Sequence, residues 1–231
     1  MRKIVVAAFV SLDGVLQAPG APEEDPSGGF VHGGWLVPFF DDVLGAVQKK
    51  AFSAPFDLLL GRRTYDIFAA HWPEIAAGKG GPDVDEGSLE IARRFDAVTK
   101  YVATHRPESL AWQNSRGLGA DVVGTLRELR KGDGPILLTQ GSSELVQLLL
   151  ATDLVDELRV MTFPVTLGKG KRLFDADTAA STLELVESTV SKTGVLVATY
   201  ARVGPVKTGS YALEEPTPAE LERRKKVAAE R

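Results

Sequence analysis

The sequence predicts a three-layer α/β domain with a mostly parallel sheet and an antiparallel hairpin at its C-terminal edge. Short apolar runs alternate with stretches of helical periodicity from Ile4 to Ala151. Beyond Leu158 strand-like segments follow one another with no helical pattern between them. The chain has 231 residues, 44% of them hydrophobic and 25% charged, which suits one large soluble domain with room for an appendage.

Each element has its own warrant. Ile4 to Val10 is apolar on both faces, as a central strand is, and Asp13-Gly14 turns the chain after it. Gln17 to Gly34, QAPGAPEEDPSGGFVHGG, is polar and rich in Gly and Pro; loops of this length are functional lids or disordered segments. Trp35 to Phe52 reads as a helix, with Phe39, Phe40, Val43, Leu44 and Val47 at three-and-four spacing. Leu58 to Leu60 is the second strand, Thr64 to Ala70 a short helix, His71 to Gly87 loop-like and Ser88 to Phe95 a short helix. Lys100 to Thr104 is a strand and Asp121 to Lys131 a helix with Val122, Val123, Leu126 and Leu129 on one face. Pro135 to Thr139 is a buried strand, and Glu144 to Ala151 a helix apolar nearly all round, hence buried.

Leu158 to Phe163 is a strand ended by Pro164, and TLGKGKRLF is a glycine-punctuated loop. Leu183 to Ser191 and Val195 to Val203 flank Thr193-Gly194 as a hairpin. The domain is expected to span 1–203. From Gly204 the composition turns charged, so 204–231 reads as a partly helical extension with Thr217 as cap, Pro218 at the first helical position and Glu220 closing a capping box.

Composition removes several function classes. A net charge of −4 argues against a general nucleic-acid binder, whose footprint is a basic face. With no cysteine there is no disulfide, thiolate catalysis or cysteine-ligated zinc. His32, His71 and His105 lack metal-ligand spacing, so no metal is expected. No apolar stretch approaches a membrane span, and the apolar run near the N-terminus lacks a cleavage signal; a cytoplasmic location is the default.

The chemistry sits where strands end, since ligands of parallel sheets lie beyond the carboxyl ends. In LLLGRRTYDIF, Leu58 to Phe68, Gly61 stops a strand and Arg62, Arg63 and Thr64 begin a helix. Cations are disfavoured at a helix N-terminus, so an anionic ligand explains them better than helix stability does. Thr104, His105 and Arg106 follow another strand, and Gly141, Ser142 and Ser143 another, leading straight into a helix. The last turn is not the G-x-G-x-x-G fingerprint. Taken singly, the serines serve equally as a helix cap and the arginines as salt-bridge partners. Together they offer anion donors to one edge of one sheet.

With SLDGV, LLLGRRTYDIF and ILLTQGSSELVQLLLATDLVDELRVMTFPVTLGKGKRLF in hand, the chain from Arg2 to Val203 resembles the dihydrofolate reductase-like superfamily, in its branch of riboflavin-biosynthesis reductase domains and stand-alone relatives. That resemblance implies a three-layer dihydrofolate reductase-like fold, an NADPH-dependent reductase and a homodimer. By the family pattern Gly61, Arg62, Arg63 and Thr64 hold cofactor phosphates, and Thr104, His105 and Arg106 grip the adenosine ribose and its 2′-phosphate. Gly141, Ser142 and Ser143 meet the pyrophosphate, while Ala8, Val15 and Leu16 lie against the nicotinamide carboxamide. The activity implied is hydride transfer to a carbonyl or imine of a small heterocyclic or sugar-like substrate, as in 5-amino-6-(5-phosphoribosylamino)uracil reduction.

Three departures bear on this. A chain without cysteine cannot carry the zinc deaminase domain of the bifunctional riboflavin enzymes. The 17–34 segment replaces a shorter active-site loop. The early acidic residue of true dihydrofolate reductases has only Asp41 and Asp42 nearby, in ambiguous register. Dihydrofolate reduction, and a non-catalytic dimer binding a nucleotide or flavin, therefore stand as alternatives. Asp13 is the first candidate to orient substrate or deliver a proton, with Asp41 behind it, and Trp35, Phe39 and Pro164 are candidates for the substrate pocket.

Overall fold

Apolar strands at the middle of this chain find cover on both sides. The computed structural model describes residues 1–79 and 84–230. Eight strands form one sheet: β1 (Ile4–Ser11), β2 (Phe56–Gly61), β3 (Lys100–Ala103), β4 (Ser115–Gly117), β5 (Ile136–Thr139), β6 (Glu157–Phe163), β7 (Thr182–Val190) and β8 (Leu196–Gly204). Their order is β4-β3-β2-β5-β1-β6-β8-β7. Strands β1 to β6 run parallel, and β8 is antiparallel to both β6 and β7.

Among the described residues there are six α-helices: α1 (Asp42–Ala51), α2 (Arg62–Ala76), α3 (Glu86–Ala97), α4 (Val122–Lys131), α5 (Ser143–Ala151) and α6 (Pro218–Ala229), of which α1 to α5 pack on the sheet. On one face α4 and α5 bury Leu126, Leu145 and Leu149 against Ile4, Val6 and Leu137. On the other, α2 and α3 bring Tyr65 and Phe95 onto Val5, Leu58 and Leu60, while Leu44 of α1 packs with Phe163. Alternate residues of β1 thus enter opposite cores, which is why it reads as a continuous apolar run. Fully burying each such side chain contributes roughly 1.5–3 kcal/mol.

Several boundaries differ from the pattern in the sequence. The helical spacing from Trp35 breaks into turns and a single 3₁₀ turn at Val37–Phe39. Pro38 lacks an N–H, and Asp41 starts α1 afresh by accepting the Leu44 N–H at 3.0 Å. Helix α2 begins at Arg62 and continues through His71 to Ala76, with Pro73 inside its last turn. His71 to Ala76 are therefore helical rather than loop; of the segment expected as loop, 80–83 lie outside the described residues. Asp85 caps α3 from 86 onward. Strand β4 had no apolar alternation to announce it.

The sheet ends with Gly204, and the described residues of the extension, 205–230, include no buried one; α6 projects its charges to solvent. Truncation after Lys207 should therefore shift unfolding free energy by less than about 0.5 kcal/mol, the scale of surface changes. Matched thermal melts of full-length and truncated protein check this.

Candidate active site

Parallel strands bring their carboxyl ends to one edge, and there lies a cavity of about 630 Å³. It is bounded by Ala8 of β1, the start of α2, the Thr104–Arg106 loop, the start of α5 and part of the 17–34 segment. Side-chain caps close the other helices: Asp41 on α1, Asp85 on α3, Asp121 on α4 and Thr217 on α6. Helices α2 and α5, whose first turns border the cavity, have no side-chain cap. Their first backbone N–H groups lack helical acceptors, so both present positive dipole ends there.

Two glycines make that arrangement possible. A Cβ on Gly61 would overlap the Ser142 hydroxyl and lie 2.8 Å from the Ser142 nitrogen. A Cβ on Gly141 would lie 2.8 Å from Thr64 Oγ1, and its φ of +142° suits glycine. The Gly61 N–H donates to the Gly141 carbonyl at 3.1 Å, and the buried Thr139 hydroxyl donates to the same oxygen at 3.0 Å. The Gly141–Ser142 peptide is cis.

The two arginines differ. Arg62 Nε donates to the Asp66 carboxylate at 2.9 and 3.0 Å, and its NH1 reaches Ser109 Oγ at 2.6 Å and the Arg106 carbonyl at 3.3 Å. It fastens the loop after β3 to α2. Arg63 points the other way and pairs with Asp25, whose second oxygen accepts from Lys171 Nζ at 2.7 Å. The Asp25 side chain is 8% exposed. Burial alone would raise its pKa, but hydrogen bonds from Lys171 and Ser27 outweigh that and hold it at about 2.

The 17–34 segment is thus an ordered strap, and Gln17, Ala18, Pro19, Glu24 and Asp25 form a wall of the cavity. Gln17 anchors it: its amide donates to the Asp25 and Ser27 carbonyls, both at 2.9 Å, and accepts the Lys171 N–H at 3.0 Å. The Gln17 carbonyl accepts from Trp35 Nε1 at 2.8 Å. A Cβ on Gly170 would overlap Val15 and come within 3.2 Å of Phe30, so the glycine-punctuated loop after β6 seats directly on the strap.

Among the expected site residues, Ala8, Leu16, Gly61 to Thr64, Thr104 to Arg106 and Gly141 to Ser143 all border this cavity. Others do not. Val15 is fully buried, and its N–H and carbonyl are both taken by Ser11, at 2.9 Å each. Asp13 accepts from the Ser11 hydroxyl at 2.6 Å and from the Leu167 and Gly168 N–H groups at 3.0 and 2.8 Å. These bonds, the Ser11 one foremost, lower its pKa to about 2. It is a carboxylate staple for the loop after β6, and holds no proton to give at neutral pH.

Asp41 likewise serves as a cap, accepting also from Thr193 N–H at 3.3 Å, and stays outside the cavity. The Leu44 hydrogen bond chiefly lowers its pKa. Trp35 and Phe39 pack edge-on against Phe163, with ring centroids 5.3 and 6.1 Å apart, so they are core rather than pocket wall. Pro164 leaves the end of β6 beside Gly194 of the hairpin turn, again away from the cavity. Gln17 and Asp25 carry no periodic signal, since they lie in a segment of loop composition.

A family model for the RibD C-terminal domain matches residues 2–197. The chain belongs to the RibD C-terminal domain family. The uncharacterized protein YyaP of Bacillus subtilis strain 168 is 23% identical over 203 residues, covering 86% of this chain and 94% of YyaP. Among solved structures, a diaminohydroxyphosphoribosylaminopyrimidine deaminase/5-amino-6-(5-phosphoribosylamino)uracil reductase from Thermotoga maritima superposes with a TM-score of 0.53 at 14% identity, covering 87% of this chain and 57% of that one. A dihydrofolate reductase from Enterococcus faecalis complexed with NADP(H) gives a TM-score of 0.50 at 14% identity, over 87% and 96% of the two chains. This RibD C-terminal domain thus shares the fold of RibD-like and dihydrofolate reductase-like reductases. No helix among its described residues is long and apolar enough to cross a membrane.

Asp13 offers a direct check on its reassignment. Its depressed pKa contributes stability that is present above about pH 4 and lost as pH falls toward 2. Asp13→Asn should destabilise the protein by about 1–3 kcal/mol at pH 7, the cost of broken charged hydrogen bonds. It should also flatten the stability loss between pH 4 and 2, read by denaturant titrations at each pH.

Proposed function

We propose that this protein is an NADPH-dependent reductase, acting on a carbonyl or imine of a small heterocyclic or sugar-like molecule. One observation carries the reading: the uncapped starts of α2 and α5 open onto the same cavity, with arginine beside them. Helix N-termini of this kind bind phosphate through free N–H groups. The residues fit a dinucleotide, because glycine at 61 and 141 lets the starts of α2 and α5 close on each other: a Cβ on Gly61 would strike Ser142, and one on Gly141 would crowd Thr64.

In this reading the N–H groups at the start of α2 and at Gly141 to Ser143 hold the pyrophosphate. Thr104, His105 and Arg106, fastened by Arg62, hold the adenosine end and its 2′-phosphate. Ala8 and Leu16 form the apolar bed for the nicotinamide, which supplies a hydride equivalent when bound. The strap and Leu173 exclude water on the side facing the substrate. Lys171 borders the same space, with its ammonium hydrogen-bonded to Asp25. It is the group placed to pass a proton to the reduced atom, and being 30% exposed it can recover one from solvent.

Dihydrofolate reduction is less well supported, since no carboxylate of α1 borders the cavity. A cytoplasmic setting suits a cysteine-free chain using a reduced cofactor. The reading includes a homodimer. The β4 edge of the sheet is only three residues long, whereas β7 is a nine-residue edge without Lys or Pro, and its Leu185, Val186 and Val190 are more than half exposed. Sedimentation velocity at micromolar concentration should give twice the mass of the chain; a monomer would remove the dimer from this reading.

Binding separates NADPH from NADH. Arg106→Ala should weaken NADPH by about tenfold to a hundredfold, the worth of one charge-assisted phosphate contact, and leave NADH nearly unchanged. Equal losses by titration calorimetry would place the 2′-phosphate elsewhere.

A further inference from the structure

An ion pair joins the strap to the start of α2. Asp25 stands eight residues beyond Gln17 in a segment of loop composition, yet its side chain is among the most buried carboxylates bordering the cavity. It engages cations from two other parts of the chain, Arg63 on the first turn of α2 and Lys171 on the loop after β6. Arg63 is half exposed and uses one nitrogen, NH1, on Asp25. A guanidinium has five N–H donors in a fixed fork, so most remain to face the cavity. A lone arginine of that exposure would sample many rotamers and lose that freedom on binding a phosphate. Pairing with a buried carboxylate removes much of that cost beforehand.

We propose that Asp25 is a positioning residue for the cofactor site: acting through Arg63, it aims the guanidinium at the phosphate bound between α2 and α5. The same contact makes the strap part of that site. Phosphate held by Arg63 steadies the wall of the other half of the cavity, and the wall in turn steadies Arg63. Arg62, already spent on Asp66 and Ser109, has no such link to the strap. Because the pyrophosphate is common to both dinucleotides, the effect spares the choice between NADPH and NADH. This rests on the cofactor reading above.

A double-mutant cycle on cofactor affinity tests it, with Asp25→Ala, Arg63→Ala and the pair, titrated with NADPH and with NADH. Each single variant should weaken both dinucleotides about tenfold, and the double variant should be no weaker than Arg63→Ala alone, since both remove one aimed contact. Asp25→Asn, which keeps an acceptor oxygen, guards against loss of fold and should fall between wild type and Asp25→Ala. Hydrogen exchange gives a second reading: NADPH should slow exchange of the amides of residues 17–34 in the wild type and not in Arg63→Ala. Additive losses, or unchanged affinity in Asp25→Ala and Asp25→Asn, would overturn the positioning role and leave the cofactor reading standing. Wild-type protein that binds neither dinucleotide would overturn both.

Discussion

The close approach of Gly61 to Ser142 is the constraint on which this cavity depends. Strands β2 and β5 are neighbours, and the helices that follow them must begin almost in contact. Any side chain at Gly61 would fill the space that the serine occupies. With glycine there, two helix N-termini open side by side, and neither spends its N–H groups on a cap. Each such terminus favours an anion by only about 0.3–1 kcal/mol when exposed, rising toward 2 when partly buried. Hydrogen bonds to a charged phosphate add about 1.5–3 kcal/mol each. For a phosphate bound there, the hydrogen bonds would dominate and the dipoles would favour the position.

Charge is placed with equal economy in the rest of the site. Asp25 would be costly if buried alone, and two cations offset that cost from opposite sides. One of them belongs to α2 and the other to the loop after β6, so a single carboxylate ties three stretches of chain that are far apart in sequence. Asp13 does related work a few residues after β1, stapling that same loop by its backbone. The two acids thus differ in office. Asp25 borders the cavity, and Asp13 holds its surroundings in place.

Much of this is legible in the amino-acid sequence. Alternating apolar runs and helical periods gave the layers, and Gly-Arg-Arg-Thr and Gly-Ser-Ser marked two strand ends that do meet at one cavity. What sequence missed was long-range. The helical spacing of Trp35 and Phe39 is real, but both rings turn onto Phe163, more than a hundred residues away, and Pro38 with Asp41 delays the helix. The helix expected to stop at Ala70 runs on to Ala76, with Pro73 inside its last turn. Asp25 and Gln17 carried no periodic mark, because their partners, Arg63 and Lys171, are supplied only by the fold.

Whether two uncapped helix starts form one dinucleotide grip is tested most directly by a crystal structure of the protein with NADPH. The pyrophosphate oxygens should lie about 2.7–3.2 Å from backbone nitrogens at the start of α2 and at Gly141 to Ser143. The 2′-phosphate should lie beside Thr104 to Arg106. Electron density for the cofactor elsewhere on the molecule, or bound with its phosphates turned to solvent, would contradict this arrangement.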